Sequence, residues 1–355
     1  MMSRFFSYKY EKLEPYVPGE QPRDRRYIKL NTNESPFPPS PKAQAYSAAA
    51  GEGLQLYSDP ECTKLVERMA EMKGLKPSQV LFGNGSDEVL YLAFLAYCDD
   101  QVPAIFPDIT YGFYKVFAES LGIPYTQVPL KEDFSIGVEN YLRTGKTTFI
   151  ANPNAPTGKL LSLENIEKIL QENPKNIVVI DEAYVDFGGQ SAVSLIDRYD
   201  NLLVTQTFSK SRSLAGGRLG MVFGNEALIT DLKSLKYSIN PYNVNSMTMA
   251  AGLGALEDEA YTLANCQKIM ENREFTTEQL RQLGFTVLDS VANFLLAGHP
   301  AVPGGELYRA LKEKGILVRY FGSTRLAPFV RITIGTKDQM EALLVAVEQI
   351  LEERK

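Results

Sequence analysis

One histidine, three cysteines and no tryptophan occur in 355 residues, and each scarcity removes a chemistry. The lone imidazole, His299, lies in AGHPAVPG and reads as a turn residue ahead of a proline; with no GxSxG elbow, a Ser–His–Asp triad has nothing to stand on. Cys62, Cys98 and Cys266 make no CxxC pair and there is no HExxH, so no metal site is expected. An odd number of scattered thiols reads as reduced and buried, as in a reducing compartment. Long apolar runs are also missing: the longest, Val89 to Cys98, is far short of the ~20 residues of a membrane span. The opening MMSRFFSYKYEKLEP lacks the apolar centre of a secretory signal, so a cytoplasmic protein with no membrane partner is expected. Lys plus Arg is 37 and Asp plus Glu 43, for a net charge of −6 without a block of one sign, which gives nucleic-acid binding no support.

What remains has the balance of an ordinary globular chain, 44% hydrophobic and 23% charged, long enough for two domains. Prolines crowd the first fifty residues (Pro15, Pro18, Pro22, Pro36, Pro38, Pro39, Pro41), which suits an arm better than a regular layer. Helical patterns at Thr63–Lys73, Ser86–Cys98, Tyr111–Leu121 and Leu163–Asn173 then alternate with short apolar strands: VLFG (80–83), AIF (104–106), TTFIA (147–151), IVVID (177–181), LLVTQTFS (202–209) and GMVFG (220–224). Strands buried on both faces read as unbroken apolar runs, and alternation with helices predicts an α/β fold with a mostly parallel sheet. After about residue 255 a long helix (about 261–283), the strands FTVLDS, NFLLAG, ILVRYF and FVRITIG, and a final amphipathic helix predict a smaller α+β unit. The division expected is an arm over 1–50 that packs with the smaller unit, a large domain over 51–255 and a small domain over 256–355.

Parallel sheets bind ligands beyond the carboxyl ends of their strands, and five segments with chemical character lie there. In TFSKSRSLAGGRLG (207–220), Lys210 follows a strand directly, and Thr207, Ser209 and Arg218 offer hydroxyls and a guanidinium to a phosphate. GNGSDEVLYLAF (83–94) offers a tight turn and the free amides of a helix start at Ser86 and Asp87, although Glu88 stands where a dinucleotide fingerprint needs glycine. In NIVVIDEAYVDF (176–187), Asp181 ends a buried strand, so its carboxylate needs a cationic partner. ANPNAPTG (151–158) presents Asn154 as a donor, and PDITYGFY (107–114) presents the ring of Tyr111.

In order and spacing this set resembles the pyridoxal-phosphate enzymes of the aspartate-aminotransferase fold, over nearly the whole chain. LNTNESP (30–36), LYSDPE (56–61), TFSKSRSLAGGRLG, NFLLAG, GILVRYF (315–321) and VRITIG (330–335) narrow the resemblance to the histidinol-phosphate aminotransferases. The resemblance implies a seven-stranded sheet flanked by helices, and pyridoxal 5'-phosphate held as a Schiff base on Lys210, the catalytic acid–base group. It implies that Asp181 pairs with the pyridine nitrogen, that Asn154 and Tyr184 bind the ring hydroxyl, and that Tyr111 stacks on the ring. The phosphate falls to Ser86, Asp87, Thr207, Ser209 and Arg218, with Tyr57 reaching the cofactor of a neighbouring subunit in a homodimer. Tyr16, Asn33, Arg319 and Arg331 match positions that line the substrate pocket, Arg331 suiting the carboxylate of glutamate and both arginines the phosphate of histidinol phosphate. The family pattern has asparagine immediately before PTG, where this chain has Ala155, so the ring-hydroxyl contact rests on the neighbouring Asn154. The activity implied is amino transfer between histidinol phosphate and 2-oxoglutarate in histidine biosynthesis. The alternatives are an aromatic-amino-acid aminotransferase or a threonine-phosphate decarboxylase on the same scaffold. A non-catalytic ligand-binding module, as in regulators that retain the fold, is disfavoured because no basic helix–turn–helix segment precedes residue 30.

Overall fold

The computed structural model describes residues 3–11 and 13–354; Met1, Met2 and Lys12 of the expected arm, and Lys355 of the expected small domain, lie outside the described residues. The chain enters through β1 (Ile28–Lys29), α1 (Pro41–Ala50) and α2 (Thr63–Lys73). It then alternates through β2 (Val80–Gly83), α3 (Ser86–Tyr97), β3 (Ala104–Pro107), α4 (Phe113–Leu121), β4 (Tyr125–Val128), β5 (Thr147–Ala151), α5 (Leu163–Glu172), β6 (Val178–Asp181), β7 (Leu202–Thr207), β8 (Gly220–Gly224) and α6 (Glu226–Ile239). Two helices, α7 (Ser246–Glu257) and α8 (Glu259–Gln282), lead to β9 (Thr286–Val287), β10 (Phe294–Gly298), α9 (Gly304–Glu313), β11 (Ile316–Leu317), β12 (Arg319–Tyr320), β13 (Phe329–Thr333) and α10 (Lys337–Glu352).

The main sheet has seven strands in the order β2-β8-β7-β6-β5-β3-β4. Every pairing in it is parallel except the two made by β8. Strands β5 to β8 are buried at every position, as helices on both faces of a sheet require. Aromatic packing secures one face, where Phe94 of α3 stacks on Phe149 of β5 at 3.9 Å between ring centres. A second sheet, β12-β13-β10-β9, is antiparallel, and its apolar core includes Leu30 of the arm as well as Tyr184 and Phe187 from beyond β6.

Three sequence expectations change. The proline-rich start is not wholly irregular: Pro41 opens α1 at its first turn, where no backbone N–H is needed, and Ser40 accepts the Ala43 N–H at 3.2 Å. Strand β4 carries no strand signal in the sequence because YTQV is polar, and an edge strand need bury little. The run ILVRYF is not one strand: Ile316 and Leu317 pair in parallel with Ile28 and Lys29, whereas Arg319 and Tyr320 pair antiparallel with β13. That split stitches the arm to the second sheet and brings β12 to the ligand edge of the first.

Candidate active site

The carboxyl ends of β3, β5, β6 and β7 converge on a cavity of about 330 Å³ lined by Ser86, Asp87, Tyr111, Asp181, Tyr184, Thr207, Ser209, Lys210 and Arg218, among others. Its floor is set by backbone. Gly85 has φ 82, and a Cβ there would lie 2.5 Å from the Arg218 guanidinium. At Gly220 a Cβ would lie 2.2 Å from the Ser86 backbone nitrogen, so the start of β8 rests against the start of α3. Glycine is required at Gly220 by backbone against backbone and favoured at Gly85 by its positive φ. The result is a cup with the first amides of a twelve-residue helix on one side and a guanidinium on the other. Arg218 (φ 52) donates to Asp87 at 2.8 Å, and the Tyr111 hydroxyl donates to the other Asp87 oxygen at 2.5 Å. Thr207 and Ser209 share a hydrogen bond of 3.0 Å between their hydroxyls beside them.

Asp181 is buried at the end of β6, with the Tyr114 hydroxyl at 2.9 Å and the Thr205 hydroxyl at 3.3 Å. The cationic partner that its burial demands is not among the ion pairs of the described residues. Burial therefore pushes the carboxyl from 3.8 up to about 6 despite both hydroxyls. Lys210 is half-buried across the cavity, its Nζ 3.5 Å from the Thr32 carbonyl and 5.6 Å from the centre of the Tyr184 ring. An anion cup, a buried carboxylate lacking a cation and a lysine amine in one cavity fit a phosphorylated pyridine aldehyde, whose phosphate the cup would hold, whose ring nitrogen Asp181 would pair with and whose aldehyde Lys210 would take.

A second cavity of about 500 Å³ adjoins the first through Thr32, Tyr111, Ala155, Tyr184 and Lys210. Its walls come from the arm and from β12 and β13. Tyr16 stacks on Phe113 at 4.3 Å, and Arg319 donates to the carbonyls of Val17 and Pro18 at 2.9 and 3.1 Å. Arg331 donates to the Asn31 carbonyl at 2.9 Å while its buried Nε has no partner among the described residues. Burial lowers the Arg331 pKa below the usual range, the direction expected of a cation awaiting an anion. Asp108 and Ser323 also line this space.

Two sequence-predicted residues fall elsewhere. Asn154 does not line either cavity: its amide donates to the Ile109 carbonyl (3.0 Å) and Thr157 hydroxyl (3.1 Å) and accepts from Thr110 (2.9 Å), so it ties two loops together and Ala155 faces the cavity instead. Its contact with a ring hydroxyl is thereby withdrawn. Tyr57 is 83% exposed, stacks on Tyr242 at 4.5 Å and lines neither cavity of its own chain. Asn33 lines the second cavity but spends its amide on the Tyr184 hydroxyl at 2.9 Å. Sequence reading missed Tyr114, whose hydroxyl donates to Asp181, and missed Thr32 and Glu34 within a motif it had already marked. The three cysteines are buried, each thiol pushed up by burial to about 12, and His299 accepts the Ala301 N–H in a turn.

Residues 25–347 match the model of the aminotransferase class I and II family. A histidinol-phosphate aminotransferase of Pseudomonas putida is 49% identical over 98% of this chain and 100% of its own length. One from Brachyspira hyodysenteriae is 46% identical over 99% of each. Among solved structures, the histidinol-phosphate aminotransferase of Sinorhizobium meliloti in complex with pyridoxal-5'-phosphate superposes with a TM-score of 0.84 at 24% identity, over 93% of this chain and 92% of that one. An L-threonine-O-3-phosphate decarboxylase of Porphyromonas gingivalis reaches 0.79 at 21% identity, over 92% and 99%. At those identities the two structures speak for the fold alone.

Proposed function

The chain belongs to the class I and II aminotransferases, and from that membership we propose that it uses pyridoxal 5'-phosphate to move the amino group between L-histidinol phosphate and 2-oxoglutarate, yielding imidazole-acetol phosphate and glutamate. The observation that carries this reading is Lys210 in one cavity with Asp181 and the anion cup, in a chain 49% identical, end to end, to a histidinol-phosphate aminotransferase. The aromatic and decarboxylase alternatives draw no comparable support from the near relatives.

The cofactor supplies an electrophilic carbon and a ring that, while its nitrogen is protonated, accepts the electrons of a breaking C–H bond. The rest falls to the chain. Asp181 holds that proton by its carboxylate, with Tyr114 and Thr205 fixing the rotamer. Ser86, Asp87, Thr207, Ser209 and Arg218 would anchor the phosphate, and Tyr111 would cover the ring; all six line the first cavity. Lys210 Nζ would take the proton from the substrate α-carbon and deliver it to the cofactor's aldehyde-derived carbon, which is why a protein with one remote histidine can be a proton-transfer enzyme. Arg331, with a free Nε, takes the glutamate carboxylate as a bidentate fork. Arg319 and Tyr16 receive the phosphate of the other substrate, and their place in the wall of the second cavity supports this.

The exposed Tyr57, with Leu54 and Leu56 exposed beside it, supports a homodimer in which Tyr57 reaches the partner's cofactor phosphate. We read 51–255 as the cofactor-binding domain and 256–355 with the arm as the substrate-side domain. No helix among the described residues is long and apolar enough to cross a membrane, and three buried thiols support a place in the cytoplasm. A coupled assay of the purified protein against histidinol phosphate, phenylalanine and phosphothreonine tests the substrate; faster turnover of phenylalanine than of histidinol phosphate would sink it.

A further inference from the structure

A chain of hydrogen bonds running from β13 into the cleft has its direction fixed by a backbone amide. The Asn33 N–H can only donate, and it donates to the Thr333 hydroxyl oxygen at 2.9 Å. Thr333 still has its own proton to place, and the acceptor for it among the described residues is the Asn33 side-chain oxygen at 3.1 Å. The other end of the Asn33 amide is therefore its NH2 group, which donates to the Tyr184 hydroxyl at 2.9 Å. The Tyr184 hydroxyl, accepting from Asn33, has no other hydrogen-bond partner among the described residues, so its proton is free to point into the cavity it lines with Lys210. The frame around this chain is rigid. Asn33 is buried in the left-handed region at φ 56, which asparagine tolerates, and its carbonyl accepts from Asn293 at 3.0 Å. The neighbouring wall is alanine (Ala151, Ala155 and Ala183), and Asn154 is spent elsewhere, so Tyr184 is the hydroxyl donor on that side.

We propose that Thr333 and Asn33 are positioning residues whose relay turns the Tyr184 hydroxyl proton toward the cofactor's ring oxygen, and so sets how tightly the adjacent Lys210 nitrogen holds its proton. The inference rests on the cofactor reading above. A donor on the ring oxygen draws charge from it, and a less negative oxygen holds the neighbouring N–H less well, so the relay lowers the pH at which Lys210 nitrogen gives up its proton. Without Thr333 the Asn33 amide can rotate, present its oxygen to Tyr184 and pull the phenol proton out of the cleft.

The test is a pH titration of the visible absorption band of the cofactor-loaded protein. T333V is expected to raise the midpoint by about one pH unit, T333S to leave it in place, and Y184F to raise it at least as far. T333V/Y184F should match Y184F alone, because Thr333 acts only through the phenol. A T333V midpoint equal to that of the parent, or a T333V shift that persists in full on the Y184F background, overturns the relay. Should T333V not fold, N33D replaces it: an acceptor at that position should shift the midpoint further with Tyr184 present than on the Y184F background, and equal shifts overturn the relay. A parent protein that takes up cofactor without a band that titrates overturns the relay alone; one that takes up no cofactor overturns the function as well.

Discussion

The two adjoining cavities are built by opposite means. The first is made by backbone: strand ends, a helix start and two glycines whose missing Cβ atoms are the space itself. The second is made by long side chains that reach from the arm, β12 and β13 and are held by one or two carbonyls, as Arg331 is by Asn31 and Arg319 by Val17 and Pro18. A site that keeps one cofactor through every turnover can be rigid, whereas one that admits two amine–ketone pairs in turn must rearrange its charges. The contrast predicts that changes in the first cavity strike all substrates alike and changes in the second tell them apart.

The heaviest blow expected is Lys210→Ala, which should lower turnover with every amino donor by ~10⁴-fold or more and abolish borohydride tagging of the 207–220 peptide. Residual activity above a hundredth of the parent value would dissolve the contrast at its root. Asp181→Asn should weaken cofactor retention by roughly 10–100-fold while stabilising the cofactor-free chain. The sign follows from the raised carboxyl. The folded chain binds this proton more tightly than the unfolded one, so the group's contribution is present below about 4 and lost as pH climbs through about 6. The cofactor-free variant should gain about 2–3 kcal/mol over the parent at pH 8 and nothing near pH 4, readable by urea titration; equal gains at both pH values would refute the buried charge. In the second cavity, Arg331→Ala should raise KM for glutamate roughly 10–100-fold and that for histidinol phosphate much less. Parallel rises would show that this wall, too, treats its ligands as one. Arg319→Ala, at a partly exposed clasp, should cost a few-fold in KM for histidinol phosphate with kcat unchanged.

The same contrast governs what can be read from the sequence. VLFG, TTFIA and GMVFG coincide with β2, β5 and β8 because strands buried on both faces leave a short run of apolar and β-branched residues. The place of Asp181 in the first cavity is legible because it ends such a run, and that of Lys210 because it stands three residues beyond the end of β7 at Thr207. The second cavity leaves no comparable trace, since Arg319 and Arg331 meet Tyr16 across some 300 residues of chain, and only family likeness brings them together. Asn154 is misplaced by sequence because an amide one position from a site looks the same there whether it faces a ligand or its own loop. Thr333 shows the converse: it lies inside VRITIG, but there it reads as one more strand residue, and its hydroxyl matters through what it faces.

Strand β8 runs against its neighbours, so its first residue rather than its last lies at the ligand edge, where Gly220 pairs with Thr207. The segment bearing Lys210 and Arg218 is thus a loop closed at its base by one rung of the ladder. Lengthening that loop at its tip would leave both functional groups near their anchors, whereas a slip of one rung between β7 and β8 would invert which side chains face each layer and displace the amine and the guanidinium together. Misalignment of this hairpin is therefore an all-or-nothing fault for the enzyme.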